Sequence, residues 1–169
     1  MNIITKTVAI SALLLTAACS DNGGLFGGGG GGGGNDVNGI NGGPIDETSI
    51  AYFQQTIGDT VLFQVDQSTL TPQAITILNQ QAAWLNANPG ATVLIEGHAD
   101  EQGTRDYNTA LGGRRANAVS AYLVSQGVAD NRISIISYGK ERPLAVCSSE
   151  SCWSQNRRSV TIVTSGAGV

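Results

Sequence analysis

The chain has 169 residues, enough for one ordinary domain and an extension, with 41% hydrophobic and only 5% aromatic residues. Its formal net charge is −4, from 9 basic against 13 acidic side chains, and the lack of any basic stripe excludes the phosphate-neutralising surface that nucleic acid requires. There is no internal repeat and no long run of like charge, which sets aside solenoid arrays and polyelectrolyte tails.

Residues 1–18 read as an export signal. Lys6 supplies the positive end, and Val8 to Leu15 form an apolar stretch too short to span a bilayer as a helix. The stretch ends at Leu15-Thr16-Ala17-Ala18-Cys19, small residues directly before a cysteine. This resembles a bacterial lipobox, which implies cleavage before Cys19 and lipid on its thiol and new amino terminus. Stable anchoring needs more than one acyl chain, because each buried CH₂ contributes only about 0.8 kcal/mol. Ser20 follows the cysteine where an Asp would favour inner-membrane retention, so the expected destination is the outer membrane, with the protein lipid-anchored and its domain facing the periplasm.

Residues 19–44 comprise the lipidated Cys19 and a linker. Gly27 to Gly34 are an unbroken glycine run, followed by more Gly, Asn and Asp before Pro44. Such a composition offers nothing to bury and predicts a flexible tether. A coil of this length has a typical end-to-end distance of roughly 25–30 Å and a maximum reach of about 80 Å. A phosphate-binding loop is the competing reading of the glycines. It lacks a preceding strand and a following Gly-Lys-Ser/Thr.

Residues 45–169 carry the domain. Asp46-Glu47-Thr48-Ser49 precede Ile50, Tyr52, Phe53 and Ile57, predicting a short amphipathic helix that Gly58-Asp59 ends. Thr60 to Phe63 are β-branched and aromatic, a strand. Thr71-Pro72 start a helix with an N-cap hydroxyl and proline at N1; Ile75, Leu78, Ala82 and Leu85 repeat at helical spacing until Asn88-Pro89-Gly90. Thr92 to Ile95 are mostly apolar and predict a buried central strand. A long helix follows from about Thr104 to Gln126, with Tyr107, Leu111, Ala118, Tyr122 and Leu123 on or near one face and Gly127 as its cap. Ile133 to Tyr138 and Ser159 to Thr164 are the last two strands. The order predicts an α+β fold, two main helices packed on one face of a mixed four-stranded sheet. Cys147 and Cys152, an even pair in an exported domain, favour a disulfide over a metal site, since two thiols without a nearby His make a poor zinc set.

The chemistry-bearing segment is Glu96-Gly97-His98-Ala99-Asp100-Glu101-Gln102-Gly103-Thr104-Arg105-Asp106-Tyr107-Asn108, continued by Leu111-Gly112-Gly113-Arg114-Arg115. It puts an anion, Asp100, in a loop and a cation, Arg115, on the following helix. Opposite charges held apart on a rigid frame suit a zwitterion, and a guanidinium can grip a carboxylate through two parallel hydrogen bonds. From the residues alone, two bland alternatives stay open: Asp100 and Arg115 paired with each other, or Asp100 capping the helix. There is also a geometric difficulty. On a straight helix Arg115 lies about 16 Å beyond Thr104, and a side chain leaning back recovers only roughly 5 Å. One small ligand can touch both groups only if the loop folds over the helix.

The segment closely resembles the core motif of OmpA-like peptidoglycan-binding domains, over about residues 50–164. Gly139-Lys140-Glu141-Arg142-Pro143 and Asn156-Arg157-Arg158 add a resemblance to the peptidoglycan-associated lipoproteins of that family. The resemblance implies the family fold and a ligand, the diaminopimelate of peptidoglycan stem peptides. By the same resemblance Asp100 matches the ammonium-binding Asp, Arg115 the carboxylate-binding Arg and Leu111 a lining position. Gly103, Tyr107, Asn108 and Arg114 match positions that shape the site, and Arg157 belongs to a closing segment against it. The resemblance further implies a link between outer membrane and cell wall within the Tol–Pal system, with that system's β-propeller protein and other Tol proteins as partners. Two features depart from the family pattern: the cysteine pair, and Phe63-Gln64-Val65-Asp66 where the family has Phe-Asp-Phe-Asp. The same domain working outside the Tol system is the nearest alternative.

A peptidoglycan-cleaving enzyme is the alternative of another class, and the residues speak against it. His98 is the only histidine, no Ser or Cys sits in a nucleophile motif, and Glu96 with Glu101 resemble a glycosidase pair only superficially. The expectation is no catalytic residue, no metal and no cofactor. Trp84 and Trp153 are candidates for sugar stacking, with Trp84 the better candidate for packing.

Overall fold

The computed structural model describes residues 45–165. The proposed signal, Cys19 and the whole of the proposed linker lie outside them. Helix α1 (Ile50–Tyr52) starts at Ser49, whose side chain accepts from Tyr52 N, and continues as π-helical turns over Phe53–Gly58. Strand β1 (Thr60–Leu62) leads to α2 (Pro72–Ala87), capped by the Thr71 hydroxyl on Ala74 N. Then come β2 (Thr92–His98), α3 (Arg105–Ser125), a 3₁₀ turn at Asp130–Arg132, β3 (Ile133–Gly139), α4 (Glu150–Asn156) and β4 (Arg158–Ser165). Gly127 follows α3 with φ +95°, the left-handed conformation expected of a glycine cap.

The four strands form one mixed sheet in the order β1-β4-β2-β3. The last strand in sequence inserts between β1 and β2, antiparallel to both, while β2 and β3 are parallel. Helices α2 and α3 cover one face. Val61, Val93, Ile95 and Val163 meet Leu78, Leu85, Val119 and Leu123 there, and Phe53 and Trp84 close the core edge-to-face at 4.9 Å. Trp84 is thus a packing residue, with its indole N–H donating to Glu47 O at 2.7 Å.

The other sheet face is open, which changes one expectation. Strand β2 is central, but Thr92, Leu94 and Glu96 on its open side are only half-buried, while Val93 and Ile95 are buried. The strand also runs further than its apolar residues suggested, through Glu96, Gly97 and His98, because β3 and β4 pair with it there.

Gly97 and Gly112 set how closely α3 lies on the sheet. A Cβ on Gly97 would stand 1.9 Å from Gly112 O, so only glycine permits this approach. Among the described residues no helix is long and apolar enough to cross a membrane.

Candidate functional site

The site is built where β2 ends. A register shift against β3 falls between Gly97 and His98, and the chain then leaves the sheet as the loop Ala99–Thr104. Thr104 caps α3 by accepting from Tyr107 N at 3.3 Å, so Asp100 is not the cap. Asp100 Oδ1 instead accepts from Gln102 N at 3.2 Å within the loop. Asn108, buried one turn into α3, donates its amide to Asp100 O at 3.2 Å and Gln102 O at 2.8 Å, fastening the loop over the helix start.

Helix α3 then doubles back along β2, and this removes the distance problem. The Gly97–Gly112 contact places Arg115 beside His98, whose carbonyl accepts from Arg115 Nη1 at 2.8 Å. The cation therefore returns to the end of the strand from which Asp100 projects. Arg115 is fully buried, with its guanidinium carbon 5.3 Å from the Phe63 ring centre. Its Nε donates to Gln67 O at 2.8 Å and its Nη2 to Gln64 O at 3.1 Å. Burial pulls its pKa down to about 10, opposed by the nearby Asp100 charge, so it stays protonated at neutral pH.

Among the described residues, Asp100 and Arg115 are not an ion pair. Asp100 Oδ2 pairs with Arg157 Nη1 at 3.2 Å, and Arg115 has no carboxylate within 4 Å. Arg157 is itself divided, because both its Nη groups also reach the Glu150 carboxylate. That contact, ahead of the one with Asp100, holds the Arg157 pKa above its ordinary value.

A cleft of about 230 Å³ opens over this frame, lined by Val65, Asp66, Asp100, Gln102, Gly103, Tyr107, Asn108 and Leu111. Asp100, Leu111, Asn108, Gly103 and Tyr107 thus line one cleft, a grouping that the resemblance implied and spacing alone did not. Arg115 does not line the cleft but lies behind it, closed off by the turn carrying Gln64 and Gln67. Arg114 is exposed and leans on the Tyr107 ring at 5.8 Å, outside the lining. The departing segment Phe63 to Asp66 is part of the frame: Phe63 sits against Arg115, and Val65 and Asp66 form a wall. Asp66 has φ +56°, and its carboxylate accepts the Tyr107 hydroxyl, which raises the phenol pKa.

The remaining candidates fall outside this cleft. His98 is buried, with its ring 5.7 Å from Tyr138 and its Nε2 3.3 Å from Glu96; burial, with Arg158 and Arg142 nearby, lowers its pKa to about 4. Trp153 donates to Glu101 Oε1 at 2.7 Å. Cys147 and Cys152 are joined, with Cα atoms 5.7 Å apart. Two contributors had no local signal in the sequence, Gln67, which acts through its backbone carbonyl, and Glu150; Gln64, which acts the same way, stands in the segment that departs from the family pattern. A larger hollow of about 480 Å³ lies between α1 and α2, lined mostly by Tyr52, Ile57, Ala83 and Trp84 and their polar neighbours. Its one charged lining residue is Glu47, whereas the smaller cleft has Asp100 in its lining and the Arg115 guanidinium behind it.

The OmpA family profile matches residues 62–157, which include Asp100, Arg115 and Arg157. A peptidoglycan-associated lipoprotein from Mesorhizobium japonicum is 53% identical over 131 residues, 77% of each chain. One from Rhizobium meliloti is 50% identical over 130 residues, 77% of this chain and 73% of its own. The crystal structure of the peptidoglycan-associated lipoprotein from Burkholderia pseudomallei superposes with a TM-score of 0.65 at 35% identity, over 70% of this chain and all of that one.

Proposed function

As this chain belongs to the OmpA family, we propose that it is a non-enzymatic anchor that holds peptidoglycan stem peptides in the cleft beside Asp100, with Arg115 behind it. The names of its relatives support a peptidoglycan-binding role at the cell envelope. The observation that supports the site assignment is the guanidinium of Arg115, buried and, among the described residues, in no ion pair. A buried charge lacking an opposite partner is costly, and carbonyl hydrogen bonds offset that cost only in part. A ligand carboxylate entering beside Leu111 supplies the missing anion.

Arg115 has five N–H donors and spends one each on Gln64 O, Gln67 O and His98 O. The Gln64–Gln67 turn shields it, so a carboxylate reaches it when that turn yields. The ammonium of the same diaminopimelate then faces Asp100. Binding in this reading is non-covalent, with Leu111 and Tyr107 packing on the aliphatic chain between the two charges.

Around this site the wider role follows the lipobox and the family. Lipid on Cys19 anchors the protein to the outer membrane on its periplasmic side, residues 19–44 span the gap, and the domain grips the wall. Within the Tol–Pal system, the β-propeller protein is the partner to seek, by pull-down against the purified protein.

Calorimetric titration with a diaminopimelate stem peptide tests the site. Asp100→Asn and Arg115→Lys should each weaken binding tenfold or more, about 1.4 kcal/mol, while remaining folded. Absence of binding by the unaltered protein would overturn the assignment.

A further inference from the structure

The charge that Asp100 can offer an ammonium depends on how much of Arg157 is engaged elsewhere. Arg157 is 5% exposed and cannot turn to water for its remaining hydrogen bonds. Its Nε donates to Phe63 O at 3.3 Å, its Nη1 lies 3.2 Å from both Asp100 Oδ2 and Glu150 Oε2, and its Nη2 is bound to Glu150 Oε1. Two carboxylates therefore share one guanidinium.

The backbone fixes this sharing. Glu150 opens α4 and Arg157 follows its last residue, seven positions and nearly two turns later, so both project from the same side of the helix. Arg157 leans back along the axis toward Glu150. At the other end, Asn156 Oδ1 accepts from Leu144 N at 2.8 Å and Ala145 N at 3.0 Å, and the Cys147–Cys152 disulfide closes the loop that holds Glu150.

We propose that Glu150 is a specificity-determining residue of the cleft: by engaging Arg157 it keeps Asp100 free to bind an ammonium group. This rests on the reading that Asp100 receives the ligand amine. With Glu150 in place, Asp66, Asp100 and Glu150 outweigh Arg115 and Arg157 by one negative charge. Without it that excess is gone, and Arg157 can turn both Nη groups onto Asp100. The amine half of the ligand loses, and the carboxylate half does not.

Two peptides separate these halves: the diaminopimelate stem peptide, and the same peptide with the distal amine replaced by hydrogen. Calorimetry on the full-length protein should show Glu150→Gln binding the first about threefold or more weakly, with the second unchanged or tighter. Glu150→Asp, which keeps the charge, should bind the first peptide more tightly than Glu150→Gln does. Equal loss of both peptides in Glu150→Gln would mark Glu150 as scaffold only, and no loss of either would deny the coupling; both results overturn the proposal. If the unaltered protein binds neither peptide, the functional reading falls first and takes this inference with it.

Discussion

Replacing Gly97 by alanine tests the link between fold and site in a single methyl group. The new Cβ would meet Gly112 O at 1.9 Å and Gly112 C at 2.6 Å, where ordinary contact needs more than 3 Å. Both obstacles are backbone, so no side chain can rotate out of the way. Helix α3 must withdraw from β2 by an ångström or more, which costs about 3 kcal/mol as overpacking against an unyielding wall. The same withdrawal stretches the 2.8 Å bond from Arg115 Nη1 to His98 O, so peptide binding should weaken with stability. Gly113→Ala is the internal control. Its Cβ would find Ser137 Cβ at 3.9 Å, an ordinary contact, and alanine in a helix interior gains about 0.5–1 kcal/mol over glycine. Urea unfolding monitored by circular dichroism should therefore move the two midpoints in opposite directions. A Gly97→Ala protein as stable as its parent, or two variants that behave alike, would refute the claim that this contact sets the helix position.

Two further outcomes are expected. His98 has its imidazole pKa lowered from 6.5 to about 4 by burial and the nearby Arg158 and Arg142. The unfolded chain takes up this proton as pH falls through about 6.5 and the folded chain only near 4, so the group removes stability across that window and none below it. Urea midpoints for His98→Gln between pH 7 and 4 should fall less steeply than the parent's, and parallel slopes would exclude His98 as a source. The Cys147→Ser/Cys152→Ser double variant should lose about 2 kcal/mol, the chain entropy of so short a closed loop, in the same assay.

Much of the domain was legible because its signals are local. Thr71-Pro72 and Thr104 mark real helix starts; the Thr71 hydroxyl caps as its position predicts, and Thr104 takes the cap for which Asp100 was a candidate. The α3 stripe was harder. Its buried face runs through Asn108, Leu111, Gly112, Arg115, Ala116, Val119 and Leu123, so an amide, a glycine gap and a guanidinium interrupt the apolar rhythm. Those interruptions are the site and the close contact that supports it. Helix α4 left no trace in the pattern because Glu150–Asn156 has little apolar surface; the disulfide, the Asn156 side chain and Arg157 hold it instead. The sheet order was equally hidden, since β4 enters between β1 and β2 from far along the chain.

That late insertion explains what the motif alone left out. Asp100 and Arg115 are 15 residues apart and both visible in one segment, so a reading from spacing pairs them with each other or with a ligand. The residue that meets Asp100 is Arg157, brought there only because β4 crosses the sheet centre and begins beside Phe63, whose N–H donates to Arg157 O at 2.8 Å. Arg157 meets one oxygen of Asp100, Arg115 makes no ion pair among the described residues, and the two arginines take different parts. Arg157 with Glu150 tunes the acid, while Arg115 waits behind the Gln64–Gln67 turn. A ligand carrying both charges satisfies both ends at once, whereas an amine or a carboxylate alone would leave one end of the cleft unbalanced. On the proposed function, selectivity for a zwitterion thus follows from strand order as much as from the motif.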